Sequence, residues 1–359
     1  MIMPLQKQLD VLFVSADSSI QAYQELAKTY SAIEPPTWAL LLAQSCRSKG
    51  FGVGILDCTA EKLSMAQAVE RINEANPRLV CFVVYGQNPN SGTTNMIGNT
   101  QLADMLKERY PEYQTCFVGS HMSALPLQVL EDHEGVDMVL YNEGVYALHN
   151  LLTSNLTAED IKNIRGIGHK INERPMLNAP EKVVPQERMD IDLPGYAWDL
   201  LPYDKKPLDL YRSHFWHTEY NHDKRTPFAA VYTSLGCRFK CDFCMINIVN
   251  RNSDVNDTVS AHSSHMRYWS PEFMLKEFDK LAAMGTETIR ISDEMFFLDK
   301  RYYEPLLNGL IERDYPIRTW SYARVDTVRP QYLDLFQKAG VRWLGIGIEA
   351  ANQVIRKEV

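Results

Sequence analysis

Three cysteines lie within eight residues of one another in this 359-residue chain, at Cys237, Cys241 and Cys244. They stand in the run TSLGCRFKCDFC, just after an apolar, strand-like segment at 228–233. Three thiolates on one short loop can each bind one iron of a 4Fe-4S cluster and leave the fourth iron without a protein ligand. The C-x3-C-x2-C spacing therefore predicts an iron-sulfur site with one iron open to chemistry.

A zinc site is the main alternative for these cysteines. A C-x2-C pair often belongs to a zinc knuckle, and His262 or His265 could complete a Cys3His set. Zinc knuckles usually take their ligands from two separated pairs, whereas these three thiols share one loop after a strand. We therefore expect a cluster rather than zinc. The other four cysteines fall in apolar patterns typical of small buried side chains: Cys46, Cys58, Cys81 and Cys116.

Composition and charge fit a soluble enzyme of two domains. Hydrophobic residues make up 45% of the chain and charged residues 23%, so more than one core can form. The formal charge of -8 argues against nucleic acid or an anionic membrane as a partner. The N-terminus lacks the pattern of a signal peptide, and no apolar run approaches about 18 residues. We expect a cytoplasmic protein whose thiols stay reduced.

Residues 10–152 alternate short apolar runs with amphipathic stretches. The runs predict strands at 10–16, 53–57, 79–85, 115–119 and 136–141, and the stretches predict helices at 35–49, 65–75, 94–109 and 126–133. Apolar strands separated by helices are typical of a parallel sheet that is covered on both faces. We predict a doubly wound, Rossmann-like domain over residues 1–152, with ligands beyond the carboxyl ends of its strands.

The rest of the chain divides into a connection and a second α/β unit. Residues 153–226 are rich in Asn, Pro and charged residues, and we predict a linker with one possible strand at 164–171. From residue 227 onward strands and helices alternate again. Charged side chains follow the predicted strands 286–292, 316–322 and 341–348, where a (β/α) barrel places its chemistry. These side chains are Asp293 and Glu294, Arg324, and Glu349.

The cysteine loop, with a glycine before its first cysteine and an aromatic residue before its third, resembles the signature of radical S-adenosylmethionine (SAM) enzymes. In that family the open iron binds the amino and carboxylate groups of SAM, and an electron from the cluster cleaves SAM to a 5'-deoxyadenosyl radical. The resemblance implies that Asp293 and Glu294 contact the SAM amino group, and that Arg324 and Glu349 hold its carboxylate or ribose.

The same resemblance implies a partial TIM-type barrel over residues 227–359. The family's partial barrel has six strands, so the four predicted here indicate a barrel that is truncated after its fourth strand. The resemblance also implies a small-molecule substrate and an electron donor such as flavodoxin or ferredoxin.

The N-terminal half resembles the cobalamin-binding domain that precedes the barrel in one large radical SAM subclass. The similar runs are PPTWALLLA from residue 35, VGSHMSALP from residue 118 and GVDMVLYNEG from residue 135, while LPGYAWDLLP from residue 193 is similar to the interdomain linker. A D-x-H-x-x-G motif, which supplies a cobalt ligand in other corrinoid proteins, does not occur. The resemblance implies cofactor contacts at Tyr85, Gln87 and Asn88 beneath the lower face of cobalamin, at Gly119, Ser120 and His121 near its nucleotide tail, and at Glu143.

Together these resemblances imply a cobalamin-dependent radical SAM enzyme, foremost a methyltransferase acting on an unactivated carbon or phosphorus centre. One SAM would methylate cobalamin and a second would yield the radical that abstracts hydrogen, after which the substrate takes methyl from methylcobalamin. Two alternatives stay open. One is a radical cyclase or rearrangement enzyme of the kind used in pigment synthesis, and the other is a non-catalytic corrinoid- or zinc-binding protein.

Overall fold

The computed structural model describes residues 9–19, 24–86, 88–202, 210–239, 241, 243–246 and 266–358. Their strands form one sheet of seven strands, one of four and one of two. Helices alternate with the strands of both larger sheets. The prediction of an α/β fold is confirmed.

Five parallel strands begin the first sheet: β1 Val11–Ser15, β2 Val53–Asp57, β3 Leu79–Val84, β4 Gln114–Gly119 and β5 Met138–Leu140. They lie in the order β2-β1-β3-β4-β5, so the direction of winding reverses between β1 and β3. β3 is buried along its whole length, which explains its unbroken apolar sequence LVCFVV. Such sheets bind ligands beyond the carboxyl ends of the strands at the reversal.

The first sheet continues into the segment that was predicted as a linker. Two strands, β6 Ile167–Ile171 and β7 Arg174–Leu177, add to β5 as an antiparallel hairpin. Part of the predicted linker therefore belongs to this sheet, and the one strand expected at 164–171 is present with a second beside it. Pro175 is tolerated because β7 is the edge strand.

The helices of this half follow the sequence signals closely. The predicted helix 65–75 has the bounds that the structure shows, because Ser64 and Gln67 form a capping box at its start and Asn76 ends it with a φ of 43°. The helices are α1 Leu26–Thr29, α2 Thr37–Ser48, α3 Cys58–Glu61, α4 Met65–Ala75, α5 Met96–Arg109, α6 Ser120–Ala124, α7 Pro126–Asp132, α8 Val145–Thr153, α9 Ala158–Ile161 and α10 Met189–Asp192.

The C-terminal half forms a sheet of four parallel strands in chain order: β8 Phe228–Val231, β11 Thr288–Ile291, β12 Arg318–Arg324 and β13 Val341–Gly347. A short antiparallel pair, β9 Ser234–Leu235 and β10 Arg267–Tyr268, lies beside it and leads into the cysteine loop. The helices between and after the strands are α11 Pro271–Ala283, α12 Lys300–Arg313, α13 Leu333–Lys338 and α14 Gln353–Glu358.

The two halves share one hydrophobic core. A single cluster of buried side chains includes Phe13 and Leu40 from the first sheet and its helix α2, and Phe228 and Ile289 from the second sheet. Because α2 is buried on nearly all sides, it packs between the two halves. No helix in the described part of the chain is long and apolar enough to cross a membrane.

The loop before α2 is held by hydrogen bonds from residues 212–225, the segment that leads into β8. The Arg225 guanidinium donates to the carbonyl oxygens of Thr29 at 2.7 Å and of Ser31 at 2.8 Å. Ile33 and Arg212 form an isolated antiparallel bridge in the same region. Arg212 and Arg225 therefore hold residues 29–33, between β1 and α2, through contacts from the later part of the chain.

Candidate active site

A cavity of about 320 Å³ lies where β11, β12 and β13 end, and all three cysteines of the loop line it. Gly236 turns the chain from β9 into this loop with a φ of +90°, a conformation that favours glycine. Cys237 is buried, and Cys241 and Cys244 are half-buried. The structure thus brings the cysteine loop and the predicted mouth of the barrel together.

Burial raises the pKa of the Cys237 thiol to about 11, and it also raises the pKa of Cys244. Thiols with raised pKa values stay protonated at neutral pH until a cation binds, so metal binding must release protons here. Over the described residues, which leave out 242 and 247–265, no three His, Cys, Asp or Glu side chains form a group that could hold a single metal ion. A cluster differs in its demands, because each thiolate binds a different iron. His262 and His265 lie outside the described residues.

The two acidic residues after β11 point to different surroundings. The Asp293 carboxylate is fully buried and accepts three hydrogen bonds of 2.6 Å, from the Thr233 N–H and from the hydroxyls of Thr233 and Ser234. Burial raises its pKa to about 6. These contacts fix the chain three and four residues before Cys237, so Asp293 positions the cysteine loop. Both carboxylate oxygens of Asp293 thus accept hydrogen bonds within the protein, and its contact with SAM stays a prediction.

Glu294 takes the opposite direction and lines the cavity with the cysteines. Burial raises the pKa of its carboxyl to about 8, and Oε2 is buried without a hydrogen-bond partner among the described residues. A buried carboxyl oxygen that lacks a partner costs about 1 to 3 kcal/mol, which a ligand that donates to it would recover. Of the two acidic residues, Glu294 is therefore the one placed to meet a ligand.

Arg324 and Glu349 complete the charged lining of this cavity. The Arg324 guanidinium lies 4.0 Å above the ring of Phe239 and donates to Asp326 at 3.1 Å. Glu349 has a φ of 63°, a left-handed conformation that costs a residue with a side chain about 1 kcal/mol or more. The cavity therefore offers both a cation and carboxylates beside three thiols.

A narrow interdomain cleft adjoins this cavity. Its walls are the expected loop residues Tyr85, Asn88 and Ser120 on one side and Tyr232 and Glu294 on the other. Asn88, Ile246 and Glu294 line both the cleft and the cysteine cavity, so the two spaces meet at these side chains. Tyr85 stacks on Trp38 with ring centroids 4.5 Å apart. Gln87, also expected here, lies outside the described residues.

The loops after β3 and β4 are packed tightly against each other at the cleft. A Cβ on Gly119 would lie 2.0 Å from the Val84 carbonyl oxygen, so only glycine fits this close approach. Ser120 is buried, and its hydroxyl lacks a hydrogen-bond partner among the described residues. His121 contacts the Thr93 hydroxyl at 2.9 Å, and burial lowers the pKa of its imidazole. Of these three residues at the end of β4, Ser120 lines the cleft.

Glu143, which was expected to contact the cofactor, forms a buried ion pair with Arg267. Both of its carboxylate oxygens are engaged by the Arg267 guanidinium, and one also accepts the Val184 N–H at 3.2 Å. The side chains of Glu143 and Arg267 are 2% and 6% exposed. Glu143 lines the cleft but acts first as an ion pair between the halves. No sequence signal marked Arg267, because its partner lies 124 positions away.

Comparisons with known proteins agree with this architecture. Residues 25–152 match the family described as B12 binding domain, and residues 231–359 match the Radical SAM superfamily. An uncharacterized methyltransferase of Pyrococcus horikoshii, PH0819, is 24% identical over 319 residues, covering 89% of this chain and 61% of the relative. The anaerobic magnesium-protoporphyrin IX monomethyl ester cyclase of Rubrivivax gelatinosus is 24% identical over 334 residues, covering 89% and 52%.

A solved structure shares the fold over nearly the whole chain. It is the radical S-adenosylmethionine methyltransferase TsrM from Kitasatospora setae with cobalamin and a [4Fe-4S] cluster bound, with a TM-score of 0.66 and 18% identity. The match covers 97% of this chain and 62% of TsrM. This chain spans about half to three-fifths of the length of these three proteins. Its domain content is thus a B12 binding domain at residues 25–152, followed by a Radical SAM superfamily domain at residues 231–359.

Proposed function

We propose that this chain is the cofactor-binding part of a cobalamin-dependent radical SAM methyltransferase that acts on an unactivated carbon or phosphorus centre of a small molecule. One observation carries the proposal. Three thiols, Glu294, Arg324 and Glu349 line one cavity, and Glu294 also lines the cleft against the B12 binding domain. A site for the cluster and SAM therefore adjoins a site for cobalamin.

The donor set of the cavity fits a cluster with SAM. Cys237, Cys241 and Cys244 would hold three irons, since three thiolates on one loop suit a cluster with an open iron. Glu294 would accept a charge-assisted hydrogen bond from the ammonium group of SAM. Arg324 would pair with the carboxylate of SAM, and Glu349 would accept from its ribose hydroxyls. Asp293 would hold the loop in place through Thr233 and Ser234.

The cleft fits the edge of a corrin ring. Tyr85 and Trp38 present a stacked aromatic surface, and the buried hydroxyl of Ser120 has no partner among the described residues. When bound, cobalamin and SAM would supply a transferable methyl group and a hydrogen-abstracting radical. The protein's own contribution would be to orient them and to exclude water, with Ile246 and Asn88 at the boundary between the two spaces. An electron donor such as flavodoxin or ferredoxin would reduce the cluster.

A product assay tests the reaction class. The chain is reconstituted anaerobically with iron, sulfide and hydroxocobalamin, then incubated with SAM and a reductant, and 5'-deoxyadenosine and S-adenosylhomocysteine are quantified. Both products are expected from a methyltransferase. A control in which Cys237, Cys241 and Cys244 are all replaced by Ala should yield no 5'-deoxyadenosine. A wild-type chain that binds cobalamin and iron yet yields neither product would reduce the proposal to a binding protein.

A radical cyclase is the second candidate, favoured by the match to the magnesium-protoporphyrin cyclase over 89% of this chain. A cyclase needs the radical but transfers no methyl group. The same assay separates the two, because 5'-deoxyadenosine without S-adenosylhomocysteine would identify the cyclase.

A further inference from the structure

A second cavity, of about 170 Å³, lies at the carboxyl ends of β1, β2 and β3. It shares Trp38, Tyr85, Gly86 and Tyr232 with the interdomain cleft, so the two spaces flank the same aromatic side chains. None of the residues expected from the sequence to bind the nucleotide tail lines this second cavity. Its chemistry is therefore not explained by the contacts described so far.

An ion pair between the two halves of the chain lines this cavity. Arg290 of β11 donates through Nη2 to Oε2 of Glu34, which lies in the loop before α2, at 2.7 Å. The Arg290 side chain is only 3% exposed. Its Nε donates to Ser292 at 3.1 Å, and its guanidinium carbon lies 5.6 Å from the centre of the Trp320 ring. The guanidinium is thus fixed on three sides.

Each partner of this pair keeps one polar atom unused. Nη1 of Arg290 and Oε1 of Glu34 are buried and have no hydrogen-bond partner among the described residues. A buried donor or acceptor that stays unpaired costs about 1 to 3 kcal/mol. Because Glu34 and Arg290 both line the cavity, an unpaired donor group and an unpaired acceptor of one ion pair lie in its wall.

The ligand that suits this pair is neutral and carries both an acceptor and a donor. A carboxylate would satisfy Arg290 but would add a negative charge beside Glu34, and Asp17 and Asp57 also line the cavity. A cation would satisfy Glu34 and would be repelled by Arg290. A primary amide meets both needs, because its carbonyl accepts from Nη1 while its N–H donates to Oε1. Water offers the same pair of bonds and is the competing occupant.

We propose that Glu34 and Arg290 bind one propionamide side chain of cobalamin by hydrogen bonds. This inference rests on the proposed function, because it takes cobalamin as the ligand. Cobalamin carries its propionamide arms on the lower face of the corrin, the face that is proposed to meet the loop after β3. That loop borders the cavity through Tyr85 and Gly86. The ion pair would thereby recognise a neutral amide at the rim of the corrin through hydrogen bonds.

Monocarboxylic acids of cobalamin test this proposal on the whole chain. In each of the b, d and e acids one propionamide is replaced by a carboxylate, so each probes one arm. The dissociation constants of the three acids and of hydroxocobalamin are measured by calorimetry at neutral pH. We expect one acid to bind at least about tenfold more weakly than hydroxocobalamin, as the loss of one bond to a charged group implies. The other two acids should bind within about threefold of it.

Two variants assign the effect to the ion pair. In Glu34→Gln the carboxylate that would repel the acid is gone. The ratio between the dissociation constants of the sensitive acid and of hydroxocobalamin, called here the gap, should therefore shrink to about threefold or less. In Glu34→Ala the free Arg290 should bind that acid at least as tightly as hydroxocobalamin. Asp199→Asn is the matched control, because it removes a carboxylate that is 64% exposed and pairs with Arg47 at the surface. The control should keep the wild-type gap.

The outcomes separate this inference from the proposed function. If all three acids bind like hydroxocobalamin, or if neither Glu34 variant changes the gap, the cavity holds water and the inference is wrong. If wild type binds no hydroxocobalamin, cobalamin dependence itself is wrong. Since the acid series is first measured on wild type, a variant that fails to fold still leaves the proposal testable.

Discussion

The cavity at the barrel mouth and the cavity at the edge of the first sheet are built in different ways. In the second sheet, Arg324 ends β12, and Glu294 and Glu349 follow β11 and β13, so the register of that sheet places them. At the first sheet, the ion pair of Glu34 and Arg290 crosses between the halves of the chain. The comparison teaches that the first site depends on local strand order, whereas the second exists only when the halves are docked.

The largest expected effect concerns the cysteine loop, which belongs to the barrel alone. Replacing Cys237, Cys241 and Cys244 together by Ala should lower bound iron from about four per chain to nearly none, because the loop supplies all the protein ligands of the cluster. Iron and sulfide analysis after anaerobic reconstitution measures the loss. Hydroxocobalamin binding should persist, since the cleft and the second cavity remain. Stoichiometric zinc in wild type that disappears in the variant would instead identify a zinc site.

The next largest effect should come from the ion pair of Glu143 and Arg267. Glu143→Ala would leave Arg267 buried with an uncompensated charge, which typically costs about 3 to 5 kcal/mol of stability. Urea unfolding followed by tryptophan fluorescence measures this cost. As a control, Asp199→Ala removes an exposed partner of Arg47 and should cost about 1 kcal/mol or less. Equal losses in the two variants would show that docking of the halves does not depend on this pair.

A finer test separates the two acidic residues after β11. Glu294→Gln should weaken SAM binding about ten- to a hundredfold, because a bond between charged groups is typically worth about 1.5 to 3 kcal/mol, and should leave the thermal midpoint nearly unchanged. Asp293→Asn should instead lower stability by about 1 to 3 kcal/mol through its bonds to Thr233 and Ser234. Calorimetry with SAM and thermal unfolding give both values. The opposite pattern, with SAM affinity lost only in Asp293→Asn, would restore the expected role of Asp293.

The last expected effect is a pH dependence of the free energy of unfolding. It arises at the carboxyl end of β2, the edge strand of the first sheet. Burial raises the pKa of Asp57 from 3.8 to about 6, although Tyr211 donates to it at 2.9 Å. The native state therefore holds this proton more tightly than the unfolded state, so stability contributed by the protonated form is lost as pH rises from about 4 to 6. Asp57→Asn should be about 2 kcal/mol more stable relative to wild type at pH 7 than at pH 4. Chemical unfolding at the two pH values measures the difference, and a pH-independent difference would contradict the prediction.

The sequence predicted the elements whose signals are local. The strand 53–57 and the helix 65–75 were placed correctly because an apolar run and a capping box mark them. The charged residues of the barrel cavity were found because each follows an apolar strand. The sequence could not tell which of the adjacent residues Asp293 and Glu294 faces the cavity.

The rest depended on contacts between distant residues. The hairpin of β6 and β7 was only partly foreseen, because a short edge strand that contains Pro175 has a weak pattern. The pairs Glu143 with Arg267 and Glu34 with Arg290 form only when the halves dock, and no local motif distinguishes these residues from charges at the surface. These ion pairs between the two halves are the part of the site that only the structure reveals.

The clamp of Arg225 on the loop before α2 has a consequence for the synthesis of the chain. Thr29 leaves the ribosome 196 residues before Arg225, whose guanidinium later binds its carbonyl oxygen. N-terminal domains generally fold first during synthesis. The strands of the first sheet can therefore assemble while the loop before α2 still lacks its anchor. That loop gains its anchor only after all seven strands of the first sheet have been synthesised, because β7 ends at Leu177 and Arg225 comes later.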